Sequence, residues 1–491
     1  MSIEKMNRDV TQDSAVHSAS SMRPLCVDLD GTLVKSDTLL DSLLVLARKR
    51  PGLLWKLPGK LLQGKAAFKA FVTESVLLDV VYLPYNKPLL HFLQKQKDTG
   101  RAIWLTTGAD VRLARRVAGH LGIFRGVLAS DGSTNLIGKN KLERMKAQLG
   151  TDGFDYIGNA RPDLPLLAQA AEPMVANPTL GLRLGMRSRK IQPTLCFEER
   201  RPLYRSLLKA IRAHQWAKNL LIFLPLLMSH RIHLGLALNA LLAFLSFSLT
   251  ASATYIVNDM LDIDADRRHA RKRLRPFASG DLSPFSGALV VAIFLGLSML
   301  GARMLPWSYL AWLVAYLCST LAYTLYLKRL ALVDVMVLSG LYTLRLQAGG
   351  AATHTVISHW LAGFSIFLFL SLAFVKRFAE LENLRASDMQ PKNGRGYLVA
   401  DLEQLRTFGT SSAYAAVVVF ALYISGREVT GLYRKPALLW WIAPLMILWQ
   451  SRVWLLASRG ELNEDPVLFA ITDKMSLLIG AAVATIALLA V

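Results

Sequence analysis

Two groups of carboxylates in this 491-residue sequence have the spacing that phosphate and metal chemistry requires. The first is Asp28 and Asp30 in PLCVDLDGTLV, where an apolar strand runs into a turn at Gly31. Strand alternation puts both aspartates on the same side of the strand end, and glycine permits the tight turn. Such a pair can supply a nucleophile and a general acid. The alternative is an exposed Asp-Gly turn, which would not require the buried strand before it.

The second group lies in NDMLDIDADRRHARKRLRP, residues 258–276, directly after a long apolar run. If the helix continues, Asp259, Asp262 and Asp266 fall within about 60° of arc at about 100° per residue, while Asp264 points away. Crowded carboxylates repel one another unless a cation lies between them, so the spacing predicts Mg²⁺ that bridges them to a diphosphate. A solvated loop would explain the basic residues but not the grouped acids. Further oxygens would be bound by Asn258, Arg267, Arg271, Lys272, Arg273 and Arg275.

These two groups lie in parts of the chain with different composition. The whole chain is 53% hydrophobic with a net charge of +22. Residues 22–185 have strand–turn–helix character, whereas residues 211–491 are dominated by apolar runs long enough to cross a bilayer. Residues 186–210 are predicted to be a basic linker that becomes an interfacial amphipathic helix. Residues 1–21 are predicted to be a disordered tail. They are polar and lack an apolar core, so no cleavable signal peptide is expected.

The basic residues predict the topology of the membrane part. Most Lys and Arg fall in loops that are cytosolic if the soluble domain is cytosolic, which puts the C-terminus outside. An integral protein of a bacterial inner membrane is expected. Nucleic-acid binding is not expected, since the charges cluster at helix ends without a binding fold. Three distant cysteines form neither a disulfide framework nor a metal motif. Nine apolar segments are predicted to span, at 219–229, 232–257, 285–303, 306–327, 330–349, 356–375, 410–426, 436–451 and 474–491.

The soluble part resembles the haloacid dehalogenase (HAD) phosphatase superfamily. After DLDGT, its motifs follow in order as AIWLTTG (102–108), GKNKLERMKAQL (138–149) and FDYIGNARPDLPLL (154–167). The resemblance implies that Asp28 attacks phosphorus and Asp30 protonates the leaving alcohol. It also implies a phosphate-binding threonine, for which we favour Thr107 over Thr106, and a lysine, for which we favour Lys141 over Lys139.

The predicted metal loop departs from the superfamily pattern. The resemblance implies Mg²⁺ held by Asp28, Asp30, Asn159 and Asp163, but HAD proteins usually have Gly-Asp where this chain has Gly158-Asn159. An amide offers an oxygen without charge, so Mg²⁺ affinity is expected to fall. The helical residues 36–95 resemble a cap that would select small phosphate esters.

The membrane part, about 205–491, resembles the UbiA superfamily of intramembrane prenyltransferases, nine-helix proteins with two acidic motifs. IRAHQWAKNLLIFLPL (211–226) and DADRRHARKRLRPFASG (264–280) resemble the branch of polyprenyl-phosphate phosphoribosyltransferases. The second acidic region has one acid, Asp334, where others usually have two. An arginine inside an apolar span, such as Arg345, is usually functional. The substrate-binding residues expected here are Lys218, Lys328, Asp334, Arg345, Lys376 and Arg377, although snorkelling or interfacial anchoring would also explain the lysines and Arg377.

The sequence therefore predicts a multidomain protein: an N-terminal α/β HAD-like (Rossmannoid) domain with a helical cap, then an all-α membrane domain of about nine transmembrane helices. The expected reaction transfers a phosphoribosyl group from phosphoribosyl diphosphate to a polyprenyl phosphate, with Mg²⁺, and the HAD domain would dephosphorylate the product. One alternative is transfer of a prenyl group from a prenyl diphosphate to an aromatic acceptor. The other is a non-catalytic transporter or scaffold, which the position of the charges at helix ends disfavours. Lipid length and oligomeric state are not indicated.

Overall fold

The computed structural model describes residues 23–150, 153–230, 233–386, 395–462 and 466–491. The predicted tail, 1–21, lies outside the described residues. The chain forms two compact units. The first contains the described residues up to Ile211 together with Tyr255–Val290, and the second contains Arg212–Thr254 and Val291–Val491.

The first unit is built on a six-stranded parallel sheet. The strands are β1 Leu25–Val27, β2 Ile103–Asp110, β3 Gly126–Ser130, β4 Asp155–Gly158, β5 Pro173–Ala176 and β6 Leu195–Phe197. Their order in the sheet is β3-β2-β1-β4-β5-β6. The central strand β1 pairs with β2 on one side and β4 on the other, and all three of its residues are fully buried. Continuous apolar strands are typical of parallel sheets that are covered on both faces.

Helices connect the strands and continue into the linker. The α-helices of this part are α1 Thr38–Lys49, α2 Leu57–Leu62, α3 Lys65–Ser75, α4 Lys87–Asp98, α5 Val111–Leu121, α6 Lys139–Leu149, α7 Leu164–Leu167, α8 Leu180–Ser188 and α9 Leu203–Ile211. Helix α1 begins where the Asp37 carboxylate accepts the N–H groups of Leu39 and Leu40. Helices α1 to α3 and the first part of α4 lie in the range 36–95 that was predicted to be a cap, and their role as a cap stays a prediction.

Helices, most of them long, make up most of the remaining described chain. They are α10 Leu224–Met228, α11 Leu234–Leu261, α12 Ile263–Arg268, α13 Pro284–Ala302, α14 Trp307–Leu325, α15 Val333–Ala352, α16 His359–Ala386, α17 Leu402–Ser425, α18 Arg427–Thr430, α19 Ile442–Ser458, α20 Pro466–Thr472 and α21 Lys474–Ala490. In the second unit, α16, α17 and α19 pack around Gly409. A Cβ at Gly409 would lie 2.1 Å from the Trp454 ring, so glycine allows this close approach.

The structure does not confirm the nine predicted spans. Among the described residues, six helices are long and apolar enough to cross a membrane, and counting the bent pair α20–α21 as one span makes seven. The predicted segment 219–229 instead forms a 3₁₀ helix at Ala213–Phe223 followed by the five-residue α10. The predicted segment 330–349 is helical in α15, but this helix carries buried Asp334 and Arg345 and is not among the apolar six.

Candidate functional site

The first cluster forms at the carboxyl ends of β1 and β4. Asp28 follows β1, and the Lys141 ammonium on α6 donates to its Oδ1 at 2.7 Å and lies 3.6 Å from Asp163 Oδ1. The Asp163 carboxylate also accepts the N–H of Asn159 at 3.1 Å and the Tyr156 hydroxyl at 2.8 Å. Burial alone would lower the pKa of Lys141, but the carboxylates of Asp28 and Asp163 raise it. The structure thus brings these predicted residues together, and it adds Tyr156, which the motif pattern did not indicate.

The two aspartates after β1 have perturbed acidities. Burial raises the pKa of Asp28 to about 6, although Lys141 opposes the shift. Burial and the nearby Asp37 carboxylate raise the pKa of Asp30 to about 7, although its Oδ1 accepts the Thr38 N–H at 2.8 Å. A carboxyl group with a pKa near neutrality can hold a proton for a leaving oxygen. Asp30 is therefore the member of the pair whose raised pKa fits a general acid.

A cavity of about 340 Å³ opens onto this cluster. Asp28, Asp30, Lys141, Asn159 and Asp163 all line it. Cations that sequence reasoning missed also line it, namely Lys35, Lys69 and Arg200. Lys69 on α3 donates to Gly108 O at 2.6 Å, and Arg200 donates to the carbonyl of Lys35. Of these three cations, only Arg200 had a sequence signal, because it lies in the predicted basic linker.

Thr107 does not line this cavity in the structure. It is fully buried within β2, and its Oγ1 accepts the Ala109 N–H at 3.0 Å. The wall at this point is formed by Gly108, Ala109 and Asp110. The predicted hydroxyl is therefore hydrogen-bonded inside the strand, where the pairing of β2 with β3 shifts register.

The donors around Asp28 fit Mg²⁺ in their chemistry. Asp28 and Asp163 offer carboxylate oxygens and Asn159 offers an amide oxygen, which are the hard ligands that Mg²⁺ prefers. A Cβ at Gly31 would lie 1.9 Å from Asn159 Nδ2, so the glycine allows the amide to approach the turn. No group of three His, Cys, Asp or Glu residues in the described chain could hold a metal ion. The Asn159 oxygen would therefore have to complete the set.

The second acidic cluster differs from the single helical face that the spacing predicted. Helix α11 ends at Leu261, and the backbone turns at Asp262 before α12 begins. Arg275 Nη1 donates to Asp259 Oδ1 at 3.0 Å and to Asp266 Oδ2 at 2.8 Å. Asp262 is instead ion-paired with Arg48 of α1. Two of the three aspartates therefore converge on one cationic group, while the third faces another, because the helix breaks between them.

Asp259 and Asp266 have the chemistry of a cation site. Both are buried, and burial raises the pKa of Asp266 although the Arg275 charge opposes this. The guanidinium between the two carboxylates marks a position where positive charge is stabilised. Asp264 is separate, since it pairs with Lys49 at 3.0 Å and with Arg268. The pair thus fits a divalent cation that would bind in this position.

The basic residues after this motif have different environments. Arg267 is buried and donates to Asp41 at 2.8 Å, to Ser36 Oγ at 3.0 Å and to Ala278 O at 3.1 Å. The N–H donors of Arg267 are thus bonded to residues of the first unit, whereas the sequence predicted that they bind a diphosphate. Arg271 and Arg273 are exposed, and Asn258 is half-buried. Asp41 and Arg48 were not expected to contact this motif.

In the second unit, two residues that were predicted to bind substrate instead bind each other. The buried carboxylate of Asp334 accepts hydrogen bonds from Arg377 and from the Tyr397 hydroxyl. Arg377 also donates to Glu380 at 2.6 Å and to the Tyr323 hydroxyl at 3.0 Å. Such a network fixes the start of α15 against α16.

Arg345 is also held by neighbours. It donates to Asn219 Oδ1 at 2.8 Å and to the Tyr316 hydroxyl at 3.2 Å. Its guanidinium lies 5.0 to 5.4 Å from the ring centroids of Phe247, Tyr316 and Tyr342. Asn219 was not predicted to be a partner of Arg345, although an amide inside an apolar run was a sequence signal. The predicted lysines are Lys328, which is buried, and Lys218 and Lys376, which are half-buried.

Comparison with known proteins gives matches over both units. Residues 220–478 match the UbiA prenyltransferase family. The chain is 35% identical over 465 residues to the uncharacterized protein y4nM of Sinorhizobium fredii, covering 94% of this chain and 90% of that protein. It is 36% identical over 233 residues to the decaprenyl-phosphate phosphoribosyltransferase of Mycobacterium tuberculosis, covering 46% and 76%. A UbiA homolog from Archaeoglobus fulgidus bound to GPP and Mg²⁺ superimposes with a TM-score of 0.45 at 18% identity, covering 57% and 99%.

Proposed function

Because the chain belongs to the UbiA prenyltransferase family, we propose that it transfers a phosphoribosyl group from phosphoribosyl diphosphate to a polyprenyl phosphate and releases diphosphate. The observation that carries a diphosphate reaction is the convergence of Asp259 and Asp266 on one cationic group. The choice of donor is supported by the 36% identity to a decaprenyl-phosphate phosphoribosyltransferase.

In the second acidic cluster, the aspartates are proposed to bind Mg²⁺ and the arginines to bind the diphosphate. Asp259 and Asp266 would hold Mg²⁺, which supplies the positive charge that a diphosphate leaving group needs. Arg275 contacts the same two carboxylates, so its guanidinium is within reach of the ligand that they would recruit. Exposed Arg271 and Arg273 are the further donors proposed for phosphate oxygens. Asn258, Lys218, Lys328 and Lys376 remain candidates for the donor ribose or the acceptor phosphate.

Residues 22–185 are proposed to hydrolyse the phosphate monoester of the product. Asp28 would attack phosphorus, so that a bond to its carboxylate oxygen forms while the bond to the ribose oxygen breaks. Asp30 would give its proton to that oxygen, and Lys141 would neutralise charge on the phosphoryl group. Water would then release inorganic phosphate and restore Asp28. Support comes from the raised pKa of Asp30 and the cavity next to it.

We propose that the two reactions are carried out by two domains joined by a linker. Residues 22–185 would form the hydrolase, residues 186–210 the linker and residues 211–491 the transferase. The protein is an integral membrane protein of the UbiA family. Its soluble domain and both sites are proposed to be cytosolic, in a bacterial inner membrane, because basic loops stay inside.

The transfer reaction is tested with purified full-length protein, Mg²⁺ and a polyprenyl phosphate. Diphosphate release is measured with phosphoribosyl diphosphate or with a prenyl diphosphate and an aromatic acceptor. We expect release with phosphoribosyl diphosphate and formation of a phosphoribosyl lipid. Diphosphate release only with the prenyl diphosphate would replace this proposal by prenyl transfer. Transport of a substrate into liposomes that contain the protein, without diphosphate release from either donor, would indicate a transporter.

The hydrolase step is tested separately by lipid product analysis. Asp28→Asn should accumulate the phosphoribosyl lipid, whereas wild type and the exposed control Asp98→Asn should convert it to the ribosyl lipid. Equal accumulation of the phosphoribosyl lipid in all three proteins would show that the Asp28 site does not act on this product.

A further inference from the structure

A second pocket in the first unit shares no lining residue with the cavity at Asp28, and neither Asp259 nor Asp266 lines it. It has a volume of about 220 Å³ and is formed by residues 201–209, which include most of α9, and by the chain segment 274–281. This is smaller than the roughly 300–1,000 Å³ of drug-sized ligand pockets, so it suits a small group. Its lining residues are Arg201, Pro202, Arg205, Ser206, Lys209, Leu274, Pro276 and Asp281.

The pocket has an excess of positive charge. Arg201, Arg205 and Lys209 recur every fourth residue, and Asp281 is the only acid among the described residues that line the pocket. Lys209 donates to Leu274 O at 2.6 Å, which holds its ammonium at the pocket. Asp281 lies 3.9 Å from Arg201 and 4.0 Å from Lys35, so its single charge is shared between two cations. Burial and the Arg201 charge lower the pKa of Lys209, and an anion between them would relieve that repulsion.

A buried hydroxyl points to a missing ligand in the same lining. Ser206 is 2% exposed, and its Oγ has no hydrogen-bond partner among the described residues. Buried polar groups nearly always have a partner, and a phosphate oxygen could accept this proton. The hydroxyl and the three cations together are the donors that recognise a phosphate group.

The opposite side of α9 indicates where that phosphate comes from. Tyr204 and Leu208, which are four residues apart on the side of α9 away from Ser206, are 58% and 62% exposed, while Ser206 and Ala210 are buried. A short helix with an exposed apolar stripe beside basic residues is typical of a helix that lies in the headgroup region of a bilayer. We propose that this pocket binds the headgroup phosphate of an anionic membrane lipid. The site is independent of both proposed reactions.

The test measures lipid binding to the delipidated full-length protein in detergent. Phosphatidylglycerol, phosphatidylcholine and inorganic phosphate are titrated separately, and bound lipid is counted by native mass spectrometry. Ser206→Ala removes only the unpartnered hydroxyl, so it should weaken phosphatidylglycerol binding several-fold without lowering Tm. Arg205→Gln combined with Lys209→Gln should weaken it by about tenfold or more.

A matched control is Arg187→Gln, which removes an exposed arginine from α8 and should leave binding unchanged. Equal phosphatidylglycerol affinity in wild type, Ser206→Ala and the double variant would overturn the proposal. Inorganic phosphate that displaces the lipid at similar concentration would also overturn it, since the site would then serve a soluble anion.

Discussion

Arg267 and Asp41 form a buried ion pair that joins segments 226 residues apart in the sequence. Arg267 follows the second acidic cluster, and Asp41 lies on α1, close to the turn that carries Asp30. Ser36 Oγ donates to the same Asp41 oxygen at 2.6 Å, and the Thr38 N–H donates to Asp30. These hydrogen bonds therefore connect the segment from Asp30 to Asp41 with the segment 258–276, which was expected to bind diphosphate.

Removal of Asp41 should destabilise the first unit. Asp41→Ala leaves the Arg267 guanidinium buried without its charge partner, which typically costs about 3–5 kcal/mol. We expect a clear fall in the Tm of the full-length protein in detergent, with partial recovery in the double variant Asp41→Ala, Arg267→Met. Glu74→Ala is the matched control, because its ion pair with Arg112 is exposed and should contribute at most about 1 kcal/mol. Equal effects of the two single variants would contradict the buried pair.

Diphosphate release should depend on the aspartates that converge on Arg275. Asp259→Asn and Asp266→Asn should each lower the rate at least about a hundredfold, because each removes a charge from the proposed cation site. Asp264→Asn should retain activity within about threefold, since this carboxylate pairs with Lys49 and Arg268 away from the site. The measurement is diphosphate release at saturating Mg²⁺. An inactive Asp264→Asn variant with wild-type Tm would show that Asp264 also belongs to the cation site.

Local patterns in the sequence were enough to indicate the first cluster. Asp28, Lys141 and Asp163 come from separate motifs, yet the structure brings them together. This follows from the fold, since the carboxyl ends of parallel strands meet at one edge of the sheet. Each motif is local, and the sheet supplies the long-range arrangement.

The second cluster could not be predicted as completely. Helical periodicity assumed that α11 continued through Asp262, but the helix ends there and Arg48 pairs with that carboxylate. Contacts between residues so far apart leave no periodic signal in the sequence. The apolar segment 219–229 was likewise predicted to span, because hydropathy does not register the 3₁₀ turns or the buried Asn219.

Asn159 should set the Mg²⁺ requirement of the hydrolase. Asn159→Asp adds a charge to the oxygen set of Asp28 and Asp163, and cation affinity rises with ligand charge. We expect the Mg²⁺ concentration for half-maximal hydrolysis of p-nitrophenyl phosphate to fall about tenfold. Asn140→Asp, an exposed change on α6, is the control and should have no effect. An unchanged Mg²⁺ requirement in Asn159→Asp would exclude this side chain as a metal ligand.

Asn219 should be needed to keep Arg345 buried. The Asn219 oxygen accepts a hydrogen bond from the guanidinium at 2.8 Å, and the Asn219 amide donates to Ser248 Oγ at 2.9 Å. Asn219→Ala should cost about 1.5–3 kcal/mol, the usual range for a hydrogen bond to a charged group. Asn219→Asp keeps the acceptor and adds an opposite charge beside Arg345, so it should lose less stability than the alanine variant. The measurement is Tm in detergent. A wild-type Tm for Asn219→Ala would mean that the aromatic rings of Phe247, Tyr316 and Tyr342 alone stabilise this arginine.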